Sequence, residues 1–139
     1  PWIEIEIKTD LPARLDTVVP LVIDAIHRFG LERTAFITSF DVYALELAQS
    51  HAPELRRGFI CKYDKLEDLE LAKRLGAALI GFPYATGLAD IAQKSREAGM
   101  LRSGWPTNDR QSLEQVFVHD LDGICTDSPT QIKEWLNEA

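Results

Sequence analysis

Hydrophobic positions along this chain switch period repeatedly, from two to 3.6 and back. Residues 3–8 (IEIEIK) alternate strictly, which predicts a strand. After Pro12, residues 15–29 place Leu15, Val18, Val19, Val22, Ile26 and Phe29 on one helical stripe, with Gly30 at a C-cap position. TAFITS (34–39) reads as a short strand. Asp41 can cap a helix over VYALELAQSH, which must end before Pro53. GFICKY (58–63) predicts a third strand, 66–75 a helix stopped by Gly76, and AALIGF (77–82) a fourth strand. A helix over 88–98 stops at Gly99, and MLRSGW (100–105) predicts a fifth strand. Asp109 can cap a helix over 110–118. DGICT (122–126) is the last strand, and 129–137 a closing helix with Pro129 in its first turn.

Strand and helix alternate through about six βα units with no linker or low-complexity tract, so residues 1–139 read as a single domain. Such alternation means a parallel sheet covered by helices. An open doubly wound sheet and a closed (β/α)8 barrel both satisfy it. A nucleotide-binding open sheet usually carries a Gly-rich turn after an early strand. Here the first strand runs into Thr9-Asp10-Leu11-Pro12, which favours the TIM barrel. A closed barrel needs eight units. The expectation is therefore an incomplete barrel whose first two βα units are absent, in a fragment or in a chain that closes the gap as a homo-oligomer.

Charge narrows the partners. A net charge of -7 and a pI near 4.9 argue against a nucleic-acid or anionic-membrane surface. No apolar run approaches the ~20 residues of a membrane helix, so no stable membrane insertion is expected. Cys61 and Cys125 sit in apolar runs and read as buried core thiols. That favours a reducing compartment, with cytoplasm the default and periplasm the alternative.

The first strand carries the candidate chemistry. If Ile3, Ile5 and Ile7 pack outward under helices, then Glu4, Glu6 and Lys8 point to the barrel interior. Buried charges must be paired, solvated or bound to metal. Glu6 and Lys8 lie at the C-terminal end of the strand, where barrels place their sites. A solvated edge-strand face, or a structural Glu–Lys pair, accounts for the same alternation.

Four segments weigh on that choice: IEIKTD (5–10), ITSFDVYAL (37–45), GWPTND (104–109) and LDGICTDSP (121–129). In this order and spacing they resemble the third to eighth strands of the glycerophosphodiester phosphodiesterase family, a (β/α)8 barrel. The resemblance implies metal-dependent hydrolysis of a small-molecule glycerophosphodiester to an alcohol and glycerol 3-phosphate. It implies that Glu6 is a carboxylate ligand of a divalent cation, Mg²⁺ or Ca²⁺. Lys8 matches the lysine on the substrate phosphate, a catalytic and binding role. Trp105 and Phe40 match aromatic walls of the substrate pocket. Ser39 ends its strand and reads as structural.

Two departures stand out. Where the family usually reads Trp-Thr-Val-Asn, this chain reads Trp105-Pro106-Thr107-Asn108, so Asn108 and Asp109 are expected as turn and cap residues. Asp127 is expected to be the N-cap of the last helix. The family's acid/base histidines and two further metal carboxylates sit in the first two units, upstream of this sequence. His119-Asp120 follows a helix on the N-terminal side of the sheet, and His27 and His51 sit late in helices. The chain alone is thus expected to be inactive. The competing readings are a non-catalytic partial barrel that self-associates or binds phosphate, and a different barrel enzyme using Glu6 as a base.

Overall fold

The computed structural model describes residues 2–83 and 90–138. The strands are β1 (Ile3–Glu6), β2 (Ala35–Ser39), β3 (Arg56–Ile60), β4 (Ala77–Pro83), β5 (Leu101–Trp105) and β6 (Gly123–Ile124). The α-helices are α1 (Leu15–Arg28), α2 (Val42–His51), α3 (Leu66–Arg74), α4 (Ile91–Glu97), α5 (Arg110–Val118) and α6 (Pro129–Glu138). The six strands form one sheet in chain order, β1 through β6. A doubly wound sheet reverses its strand order at a switch point, and a βα barrel does not. The unbroken order therefore decides between the two architectures.

By contacts the chain divides into two compact units. One comprises the chain up to Ile60 together with Glu70–Leu79, and the other Cys61–Leu69 and the chain from Ile80. In the first unit, β1 pairs in parallel with β2, setting Ile5 opposite Ile37 and Glu6 opposite Thr38. β2 pairs in parallel with β3, setting Thr38 opposite Gly58. The core on the helix side joins Ile7 and Ile37 to Leu15, Val19, Ile23 and Ile26 of α1 and to Ala44 and Ala48 of α2. The first strand is thus sided as expected: Ile5 and Ile7 face the helices. Ile3 does not join them and is 48% exposed. Along α1 the buried stripe runs through Ile23, while Val18 and Phe29 are exposed. Val18 is one helical step, ~100°, from Val19, and Phe29 lies beyond the last helical residue.

Caps close the elements where the sequence placed them. Gly30, Gly76 and Gly99 all have positive φ, at 64°, 61° and 75°, just past their helices. The Asp41 carboxylate accepts from the N–H groups of Tyr43 and Ala44. Asp109 and Ser112 form a reciprocal capping box on α5.

β3 starts two residues earlier than the apolar run suggests, at Arg56. The Arg57 side chain is turned to the helix side and only 6% of the residue is exposed. Its guanidinium donates to the carbonyls of Ala52, Pro53, Leu55 and Leu75. Desolvation lowers its pKa from the ordinary value. Arg56 lies over the Phe36 ring, 4.2 Å from its centre. Two arginines therefore sit inside a strand: Arg57 on carbonyls, with the Glu54 charge also acting on it, and Arg56 on the Phe36 ring and the Arg33 carbonyl.

In the second unit, β5 pairs in parallel with β6, with Gly104 opposite Ile124. The helix expected over 88–98 is seen from Ile91, Leu88 and Ala89 lying outside the described residues. The thiols depart from expectation. Cys125 is exposed, because β6 is only two residues long and Cys125 already lies beyond it. Cys61 is half-buried, and desolvation pushes its thiol up to about 11.

Candidate functional site

The C-terminal ends of β1 and β2 frame a cavity of about 460 Å³, lined by Glu6, Ile7, Lys8, Thr9, Ser39, Phe40 and Asp41. Each lining residue is there for a local reason. Period-two alternation puts Glu6 and Lys8 on the same side of the chain, opposite Ile5 and Ile7. Lys8 Nζ stands 3.6 Å from Glu6 Oε2. The Lys8 side chain is 81% exposed and that of Glu6 31%, so the cation reaches outward from a more sheltered carboxylate.

Ser39 secures the floor. Its hydroxyl donates to the Ile7 carbonyl at 2.7 Å and accepts from the Asp41 N–H at 3.0 Å. That ties the end of β1 to the turn entering α2, the structural role the sequence suggested. Phe40, between them, is 52% exposed and lines the cavity. Tyr43, in the first turn of α2, donates its hydroxyl to Asp16 in the first turn of α1 at 2.8 Å. This hydrogen bond raises the Tyr43 pKa. Thr9 and Thr38 were not singled out by sequence, yet each buries a hydroxyl oxygen with no hydrogen-bond partner among the described residues. Thr38 stands opposite Glu6 in the sheet.

The structure thus brings Glu6, Lys8 and Phe40 to one cavity. Trp105 lies in the second unit, at the C-terminal end of β5, and the Trp105–Pro106 peptide is cis. Asp127 is not the cap of α6. Its carboxylate accepts from Asn108 Nδ2 at 2.8 Å, and Ser128 is the residue that precedes the helix. His27 pairs with Glu54, His51 ends α2, and His119 is the C-cap of α5. None of the three lines the cavity.

A hard divalent cation takes six or more oxygen ligands, several of them carboxylates. Among the described residues no group of three His, Cys, Asp or Glu side chains is placed to hold a metal ion. Glu6 offers one carboxylate with a lysine beside it, so the described residues do not by themselves make a complete cation site.

Comparison with known proteins bears on the fold and the family resemblance. No family model matches the chain. A glycerophosphodiester phosphodiesterase of Caldanaerobacter subterraneus subsp. tengcongensis is 25% identical over 108 residues, covering 78% of this chain and 44% of that protein. A solved structure from Silicibacter pomeroyi, assigned as a glycerophosphoryl diester phosphodiesterase, superposes with a TM-score of 0.85 at 19% identity, covering 99% of this chain and 50% of that one. An Oleispira antarctica phosphodiesterase, crystallised with the product sn-glycerol-3-phosphate, superposes with a TM-score of 0.86 at 17% identity, covering 98% and 55%. The chain spans about half the length of the proteins it matches.

The fold is therefore that of part of a (β/α)8 barrel, represented by six βα units. The family that this chain resembles, in its ordered motifs and in its fold, is the glycerophosphodiester phosphodiesterases.

Proposed function

We propose that this chain is the part of a glycerophosphodiester phosphodiesterase that holds the substrate phosphate. The observation that carries the reading is the Glu6–Lys8 pair at the C-terminal end of β1, in a cavity walled by Phe40. A phosphodiester is an anion, and displacement at phosphorus gathers charge on its non-bridging oxygens. The Lys8 ammonium, largely exposed just beyond β1, stabilises that charge. Glu6, 3.6 Å away, sets the ammonium's position and supplies one carboxylate toward a divalent cation, Mg²⁺ or Ca²⁺. The remaining ligands come from the two upstream units that the resemblance implies. Phe40 gives an apolar wall for the glycerol or alcohol carbons, and the resemblance gives Trp105 the same kind of role.

In the net reaction, water adds its oxygen to phosphorus and the bond from phosphorus to the alcohol oxygen breaks. The alcohol leaves with a proton, and glycerol 3-phosphate remains. The family's acid/base histidines have no counterpart in this cavity, so the chain alone is inactive. The reading predicts metal-dependent release of glycerol 3-phosphate from glycerophosphocholine by a form carrying upstream residues, and none by the 139-residue chain. No release by the longer form with either Mg²⁺ or Ca²⁺ would overturn it. Release by the short chain would return His27, His51 or His119 to consideration.

A further inference from the structure

Asn108 was expected to be a turn residue. A turn asparagine spends its side chain on its own backbone about two residues on. Asn108 spends its amide on residues 18 and 19 positions away. Its Oδ1 accepts from the Asp127 N–H at 2.9 Å and from the Thr126 hydroxyl at 3.1 Å. Its Nδ2 donates to Asp127 Oδ2 at 2.8 Å. The Asp127 N–H requires an oxygen and the Asp127 carboxylate requires a donor, so these contacts fix which way the amide points.

The pair joins the segment after β5 to the segment after β6. Neighbouring bonds reinforce it. Thr107, fully buried, donates its N–H to the Cys125 carbonyl at 2.9 Å, and the Cys125 N–H donates to the Gly104 carbonyl at 2.9 Å. The Asn108 N–H goes to the Ser112 hydroxyl at 3.1 Å, inside the capping box of α5. Trp105 thus sits between two anchors on the same neighbour: Gly104 on one side, and Thr107 with Asn108 on the other. Only Pro106, with its constrained φ and no N–H, separates Trp105 from the second anchor.

We propose that Asn108 is a positioning residue. By clasping Asp127 and Thr126 it locks the segment after β5 and so fixes Trp105. Its importance to turnover rests on the phosphodiesterase reading, which makes Trp105 a wall of the substrate pocket. The clasp itself does not.

The two can be tested apart. In a background with Trp2 and Trp135 replaced by Phe, Trp105 is the only tryptophan, and its emission and acrylamide quenching report its setting. Asn108→Asp puts two carboxylates face to face and should raise quenching at least twofold with a red shift. Asn108→Asp with Asp127→Asn re-forms all three bonds, with donor and acceptor exchanged only in the one between the two side chains, and should restore the original signal. Thr126→Val, which removes one bond only, should give a smaller shift in the same direction, and it serves if Asn108→Asp fails to fold. In the longer form, Asn108→Asp should raise KM for glycerophosphocholine more than it lowers kcat, and the exchange should reverse this. Unchanged Trp105 emission in the single variants, or an exchange variant no better than the sum of its parts, would overturn the clasp. Restored emission in a longer form without turnover would overturn the phosphodiesterase reading and leave the clasp standing.

Discussion

Lys8 Nζ lies 3.6 Å from Glu6 Oε2, two residues past the end of the first strand. With the lysine side chain 81% exposed, water screens most of the attraction. Such a pair contributes little to folding; under the phosphodiesterase reading proposed above, it aims a cation at the cavity. Lys8→Met should leave the melting temperature of the chain unchanged. In the longer form it should lower kcat/KM for glycerophosphocholine by ~100-fold or more, as for loss of a donor to developing charge. Steady-state kinetics beside a thermal melt check both halves. A melting temperature that fell with activity intact would make the pair structural.

Arg57 makes the opposite case, a charge kept for the fold. Its guanidinium closes off the carbonyls of Ala52, Pro53 and Leu55 after α2 and of Leu75 after α3. Carbonyls in the turns that follow a helix must find a partner when they are buried. Arg57→Ala takes the donor from the Pro53, Leu55 and Leu75 carbonyls, while the Ala52 carbonyl keeps the Leu55 N–H, and should cost about 3 kcal/mol in urea unfolding. Arg57→Lys has one nitrogen to serve four acceptors and should recover only part of that. Gly76 belongs to the same arrangement. A Cβ there would meet Arg57 Nη2 at 2.8 Å, at a backbone φ of 61°.

Acid should loosen α5 through its cap. Hydrogen bonds from the Ser112 N–H and hydroxyl hold the Asp109 carboxyl below its ordinary value. A carboxyl depressed by folding contributes stability above its unfolded pKa. That stability is lost as pH falls through the folded value. Asp109→Asn still caps but does not titrate. It should melt close to the parent at neutral pH and lose less as pH falls below the ordinary carboxylate range, where the parent's depressed carboxyl protonates. Asp109→Ala should melt lower than both at neutral pH. Thermal melts across that range decide it.

Caps and alternation were legible because they act over a few residues. Asp41 and Asp109 precede their helices, glycines with positive φ follow theirs, and Ile5 and Ile7 face α1 as period two requires. The cavity pair was legible for the same reason, since Glu6 and Lys8 are two residues apart. What escaped depends on partners distant in sequence. Arg56 and Arg57 fell outside the strand read from the sequence because an aromatic ring and backbone carbonyls, distant in part along the chain, satisfy their charge. Asp127 read as a cap because its partner, Asn108, lies 19 residues upstream. Cys125 read as core because an apolar run does not show that its strand stops at Ile124.

Gly58 is the sharpest packing constraint under the site. It stands opposite Thr38 in the sheet, as Glu6 does on the other side of that strand. A Cβ on Gly58 would lie 2.8 Å from Leu79 Cδ2 and 2.9 Å from Thr38 Cγ2, and both neighbours are fully buried. In an unobstructed strand, alanine would be more stable than glycine by ~0.5–1 kcal/mol. Overpacking a closed interior costs ~1–3 kcal/mol, so the clash should decide the sign and Gly58→Ala should destabilise. Thr38→Ser removes the Cγ2 that stands in the way. The double variant should therefore be more stable than the sum of the two single changes, with the coupling measured by a double-mutant cycle in urea. Strict additivity would mean that Leu79 alone sets the limit, and Gly58→Ala paired with Leu79→Val would then carry the rescue.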